Sequence, residues 1–126
     1  MQPQIKMTFS WRRAAMKESL IAISKAVSAG FNTRERLIAA LPQFSVYRLA
    51  LALDVLITAD MAENHLGVLS IHPDMERVFA LAGSTLLLPI DIANVDAAVR
   101  RIMLNKLGAK NPAGVESLLY IRIEEA

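Results

Sequence analysis

Apolar residues recur at spacings of three and four between Trp11 and Ser28, where Met16, Leu20, Ile23 and Val27 form one line with Ala15, Ala22 and Ala26 beside it. That spacing predicts an amphipathic helix. Arg12, Lys17, Ser24 and Lys25 fall on its other faces, and Gly30 stands where a helix-ending C′ residue belongs. Asn32 followed by Glu35 is close to a capping box for a second helix, whose apolar face is Leu37, Ile38 and Leu41. Pro42 disfavours helical geometry at Leu41, which limits this helix to about two turns. Gln43-Phe44 makes the turn. Ser45 then caps a third helix running to about Ala59, with Phe44 and Leu49 placed for a hydrophobic staple. Val46, Leu49, Ala50, Leu53 and Ile57 form its stripe. Leu51, Ala52, Val55 and Leu56 are apolar too, the all-round pattern of a buried helix.

Outside the helices, residues 1–8 read as a loose arm, and Met7 as an alternative start that would make residues 1–6 dispensable. Leu66–Ile71 and Glu76–Leu81 are β-prone runs on either side of His72-Pro73-Asp74, which predicts a hairpin. Thr85–Ile90 reads as a short strand or extended connector. A fourth helix starts at Asp91 or Asn94, is carried by Ile92, Val95, Val99, Ile102, Met103 and Leu107, and is closed by Gly108. Ala109–Gly114 reads as a loop. Val115–Ile123 alternates, with Val115, Ser117, Leu119, Ile121 and Ile123 on one face and Glu116, Leu118, Tyr120 and Arg122 on the other, the period of a strand.

Composition adds three constraints. Apolar residues make up 54% of the 126, with mean hydropathy +0.36, which suffices for a full core and leaves apolar surface for self-association. No apolar run approaches the length of a membrane span. With no cysteine, disulfides, thiolate zinc sites and a Cys nucleophile are excluded. Lys6, Arg12, Arg13 and Lys17 interrupt any secretory apolar run near the start, so a cytoplasmic protein is expected. The net charge of +2 is unevenly spread: residues 1–48 carry eight basic and two acidic side chains, residues 49–126 six basic and ten acidic. A basic half of this kind suits a surface that faces a polyanion.

Residues 20–81 resemble the winged helix-turn-helix family of bacterial and phage regulators. The likeness lies in Phe31-Asn32-Thr33-Arg34-Glu35 opening the second helix and Leu37-Ile38-Ala39-Ala40-Leu41 filling it. It continues through Pro42-Gln43-Phe44-Ser45 at the turn, Val46–Leu56 as the third helix and the hairpin as the wing. The fold class expected is α+β, a winged helix-turn-helix-like core at residues 11–83 between an N-terminal arm at 1–10 and a helix–strand extension at 84–126. The resemblance implies that helix three is the recognition helix. Gln43, Ser45, Tyr47 and Arg48 would then reach base edges, Gln pairing with adenine and Arg with guanine. Arg34 and Arg36, with Arg12, Arg13 and Lys17, would meet phosphates. The function implied is a small DNA-binding regulator of transcription, dimerising through its C-terminal helix and strand.

Other chemistry is thinner. His65 and His72 read as solvated loop histidines, since a metal site would need carboxylates such as Asp74 or Glu63 to converge on them, and Ser84-Thr85 beside Gly83 lacks the Lys and second Gly of a phosphate loop. Neither a Ser/His/Asp order nor a pair of acids in a cleft appears, so neither an enzyme nor a cofactor is expected. The rival reading is a protein-interaction module or inhibitor of the same shape, which the apolar third helix and the acidic Asp74 and Glu76 favour. Duplex DNA requires Arg34, Arg36 and Arg48 on one face with Asp54, Asp74 and Glu76 turned away. A protein partner requires Leu51, Val55 or the hairpin to be accessible.

Overall fold

The structure, a computed structural model, describes residues 4–89 and 95–126. The chain is α+β and forms two compact units, Arg13–Met75 and Met1–Arg12 together with Glu76–Ala126.

In the first unit a 3-10 turn at Ala14–Met16 leads into α1 (Lys17–Ser28), which buries Leu20, Ile23, Ala26 and Val27. Gly30 takes φ +102° as the C′ residue. The Phe31 N–H donates to the Ala26 carbonyl and the Gly30 N–H to that of Val27, both backbone closures of a Schellman end. The cap of α2 (Arg34–Ala40) is Thr33 rather than Asn32, since Thr33 Oγ1 accepts from the Arg36 N–H at 3.2 Å. Asn32 is otherwise engaged: its carbonyl accepts the Leu69 N–H at 2.7 Å. α3 (Val46–Thr58) is capped as its sequence predicts, Ser45 Oγ accepting from the Arg48 N–H at 3.1 Å. Its buried line is Leu49, Ala52, Leu53 and Leu56: of the expected stripe Leu49 and Leu53 are buried, Ala50 is half-buried, and Val46 and Ile57 are exposed. α3 packs against α1 on one side, and the burial follows that side rather than the whole apolar surface of the helix.

The hairpin lies one segment earlier than its expected place. It joins β2 (Ala62–His65) to β3 (Val68–Ile71) in antiparallel register, Ala62 opposite Ile71 and His65 opposite Val68. Leu66 and Gly67 form the two-residue turn at φ +53° and +86°. Two positive φ values define the type I′ turn that matches strand twist, and Asn64 Oδ1 accepts the Gly67 N–H at 2.9 Å. α1 packs on β3 and α3 on β2.

Glu76–Leu81, expected as a strand, is helical: α4 spans Met75–Leu81. Asp74 stands immediately before it, a preferred capping position, and Met75, Val78 and Leu81 are buried at helical spacing.

The second unit is built on a three-stranded antiparallel sheet in the order β4-β1-β5. Its centre is β1 (Gln4–Trp11), where the sequence predicts a loose arm and, at Trp11, the start of a helix. Ile5, Met7 and Phe9 are fully buried while Gln4, Lys6 and Ser10 are exposed, a period-two pattern that suits a strand covered on one face. β4 (Thr85–Pro89) pairs with it as far as Gln4 opposite Pro89, and β5 (Leu119–Glu125) from Ile5 opposite Glu125 to Trp11 opposite Leu119. Trp11 packs on Phe79 with ring centroids 6.1 Å apart.

The expected start of the fourth helix at Asp91 or Asn94 lies outside the described residues. α5 (Val95–Arg101) runs into a π-helical turn at Ile102–Lys106 that buries Ile102 and Met103. Gly108 follows at φ +67°, where an added Cβ would stand 3.1 Å from Arg77 Nε. The strand expected from Val115 begins only at Leu119, because Pro112–Leu118 forms α6. Asn111 caps it, Oδ1 accepting the Gly114 N–H at 3.2 Å, and Pro112 opens the first turn, where its missing N–H costs nothing. From Leu119 onward the predicted alternation holds: Leu119, Ile121 and Ile123 share the face of Phe9 and Met7, and Tyr120 and Arg122 take the other. Among the described residues no helix is long and apolar enough to cross a membrane.

Candidate nucleic-acid interface

The side chains expected to contact nucleic acid divide into four settings. At the start of α3, Gln43, Ser45, Tyr47 and Arg48 are all exposed, Tyr47 by 74%. Ser45 uses its oxygen as the helix cap, which orients the first turn and leaves its hydroxyl proton available for a further acceptor. Tyr47 makes no hydrogen bond or ring contact with a described residue.

Arg48 turns away from Tyr47 toward α1. Its Nη2 donates to the Ala15 carbonyl at a long 3.4 Å. Ala15 lies in the short turn between Arg13 and Lys17, both exposed. Three cations from two distant stretches of sequence therefore gather around one turn at the N-terminal ends of α1 and α3. The 3-10 turn makes this possible, because it starts α1 at Lys17 and frees Arg13–Met16 to approach α3.

Arg34 and Arg36, adjacent but one on α2, point to different surroundings. Arg34 lines a narrow apolar crevice of about 40 Å³ between α2 and α3, with Ile38, Val46 and Ala50. Arg36 faces the end of α1: its Nη1 lies 3.5 Å from the Gly30 carbonyl, beside a hollow of about 400 Å³ that Phe31 also lines. A cation near the C-terminus of α1 sits favourably on the helix dipole, so Arg36 has a structural occupation. Arg34, Arg36 and Arg48 thus have different immediate neighbours, and Arg48 reaches the turn that Arg13 and Lys17 flank.

Arg12 belongs to the sheet unit. Its Nε donates to the Glu116 carbonyl and its guanidinium lies 5.6 Å from the centre of the Tyr120 ring. That engagement separates it chemically from Arg13, its neighbour in sequence.

The acidic residues also fall differently from expectation. Asp74 is 1% exposed and belongs to no hairpin turn. Its N–H donates to His72 Nδ1 at 3.1 Å, and its Oδ2 lies 3.7 Å from the same nitrogen. Glu76 lies on α4. The hairpin proper carries Glu63 and His65 and neither Lys nor Arg.

Sequence reasoning missed one feature of α3. Val46 and Leu51 are 57% and 41% exposed, and Ile57 is exposed with them. The signal was present: a helix whose every face is apolar must expose some of that surface when it packs on one side only. Among the described residues no group of three His, Asp or Glu side chains is placed to hold a metal ion. No family model matches the chain, and no curated protein or solved structure matches it.

Proposed function

We propose that Arg13–Met75 is a winged helix-turn-helix domain that binds duplex DNA, and that the chain is a small, homodimeric regulator of transcription. Three helices followed by a hairpin support the fold reading, with the hairpin tied to the segment before α2 through Leu69 and Asn32. The observation that carries the function is the exposed first turn of α3 with Arg48 beside Arg13 and Lys17. In this reading the turn enters the major groove, Gln43 and Arg48 meet base edges, and Arg13 and Lys17 neutralise flanking phosphates. Dimerisation falls to the sheet unit, where Leu87 and Tyr120 are exposed on the outer face.

The test is fluorescence anisotropy with random-sequence duplex DNA across a salt series. Non-specific binding at about 10⁻⁴–10⁻⁶ M that weakens steeply with salt is expected. Arg13→Ala/Lys17→Ala/Arg48→Ala should abolish it. Absence of binding at low salt removes the proposal.

A second reading has its own support. Val46 and Leu51 on α3 and Leu66 at the hairpin tip are exposed apolar side chains, as a protein-docking module requires. Affinity capture with the full chain and with its Leu51→Lys/Leu66→Lys variant tests it: a specific partner is retained by the first and lost by the second.

A further inference from the structure

We propose that the sheet unit holds a binding site for a zwitterionic small molecule, an α-amino acid with a branched aliphatic side chain. A cavity of about 430 Å³ is lined by Arg12, Asp96, Arg100, Glu116, Ile121 and Ile123, with Val99 beside them. Its size falls within the range of small-ligand sites, which combine apolar walls with a few placed polar groups. The apolar wall is set by register: Ile121 and Ile123 stand opposite Phe9 and Met7 on the covered face of the sheet, yet both remain half-buried rather than sealed.

The charged groups define the ligand. Arg12 is held in place, its Nε donating to the Glu116 carbonyl and its plane close to the Tyr120 ring. The bond at Nε leaves the two Nη groups, an end-on fork that fits a carboxylate. Asp96 and Arg100 lie one helical turn apart on α5, and both line the cavity. Neither makes an ion pair with a described residue, and the Glu116 carboxylate makes none either. Two cationic and two acidic residues therefore border one space whose apolar part is Val99, Ile121 and Ile123. A simple anion would meet Asp96 and Glu116, and a simple cation would meet Arg12 and Arg100. A molecule carrying both charges satisfies all four, and the Ile121, Ile123 and Val99 surface accepts a branched hydrocarbon side chain.

Isothermal titration of the full chain with L-leucine tests this, alongside 4-methylpentanoate, which lacks the amine, 3-methylbutylamine, which lacks the carboxylate, and glycine, which lacks the side chain. Leucine should bind; 4-methylpentanoate and 3-methylbutylamine should each bind roughly ten-fold more weakly or worse, the loss expected for a charged hydrogen bond, and glycine should do so through the lost apolar burial. Asp96→Asn and Arg100→Gln, both exposed helix positions, should each weaken leucine binding by a similar factor while the thermal midpoint stays unchanged. Trp11, the only tryptophan, adjoins Arg12 and supplies a second readout through its emission. No heat and no emission change with leucine at about 10 mM overturns the proposal. Binding of 4-methylpentanoate or the amine as tight as that of leucine overturns it as well. The site lies wholly in the sheet unit and the titration contains no DNA, so its outcome is independent of the DNA reading.

Discussion

The guanidinium of Arg48 reaches the carbonyl of Ala15 at 3.4 Å, joining residues 33 apart in the chain. The contact is long and exposed, so its contribution to stability is small. Its effect is to bring a cation of α3 to the turn that Arg13 and Lys17 flank. Arg48→Ala should change the unfolding free energy by less than about 0.5 kcal/mol, as surface substitutions do. If the DNA reading holds, it should reduce the slope of log affinity against log salt by about one, the counterion charge that one cation in the groove displaces. Urea titration and salt-dependent anisotropy measure the two quantities separately. A large stability loss with an unchanged slope would assign Arg48 to structure alone.

A second prediction concerns the strand taken for an arm. Phe9 is fully buried at the centre of the three-stranded sheet. Phe9→Ala should cost about 3–5 kcal/mol, the range for deleting a buried aromatic ring. Removing residues 1–6 should also destabilise the chain, since Ile5 is equally buried and the strand loses part of its pairing with β4 and β5. Chemical denaturation measures both. A truncated chain with the same denaturation midpoint would restore the arm.

Much of the helical unit was legible because local signals agreed with the packing. Gly30 ended α1, Ser45 capped α3, and Pro42 bounded α2, each through a backbone requirement that few residues meet. The errors came where two local signals competed. Val78-Phe79 has strand propensity, but Met75, Val78 and Leu81 have helical spacing behind Asp74, a residue type suited to a helix start, and burial selected the helix. Val115–Leu119 alternates as a strand does, yet Asn111-Pro112 starts a helix, and the chain becomes extended only at Leu119. β1 carried a clear period of two in Ile5, Met7 and Phe9; only its position near the chain start suggested an arm. The candidate sites were less legible. The gathering of Arg48 with Arg13 and Lys17, and of Arg12 with Asp96 and Arg100, depends on tertiary placement that spacing does not encode.

The shift of one residue at the second helix gives a third prediction. Thr33, not Asn32, supplies the capping oxygen to α2. Thr33→Ala should cost about 1 kcal/mol, the usual loss for an N-cap. Asn32→Ala should cost less, because the bond Asn32 makes to Leu69 uses its backbone carbonyl, which alanine retains. Comparing the two thermal midpoints decides the register of the cap. A larger loss at Asn32 would return the capping box to the position the sequence suggests.

The hairpin tip gives the last prediction. Leu66 is 93% exposed and holds φ +53°, a region that costs an ordinary side chain roughly 1–2 kcal/mol and asparagine less. The Gly67 that follows it already suits the second place of a type I′ turn, so Leu66→Asn creates the favoured Asn-Gly pair. The substitution should raise stability by about 0.5 kcal/mol or more, part of the relieved backbone strain. The two functional readings then part. Leucine supplies no phosphate contact, so duplex DNA affinity should be unchanged in the variant. A protein partner docking on the exposed apolar tip should be lost despite the gain in stability. Thermal denaturation, anisotropy and affinity capture on one variant therefore separate a strained turn kept for binding a protein from a turn that is merely not optimal. A variant that is less stable than the parent would show that Leu66 packs in the folded chain, against its exposure here.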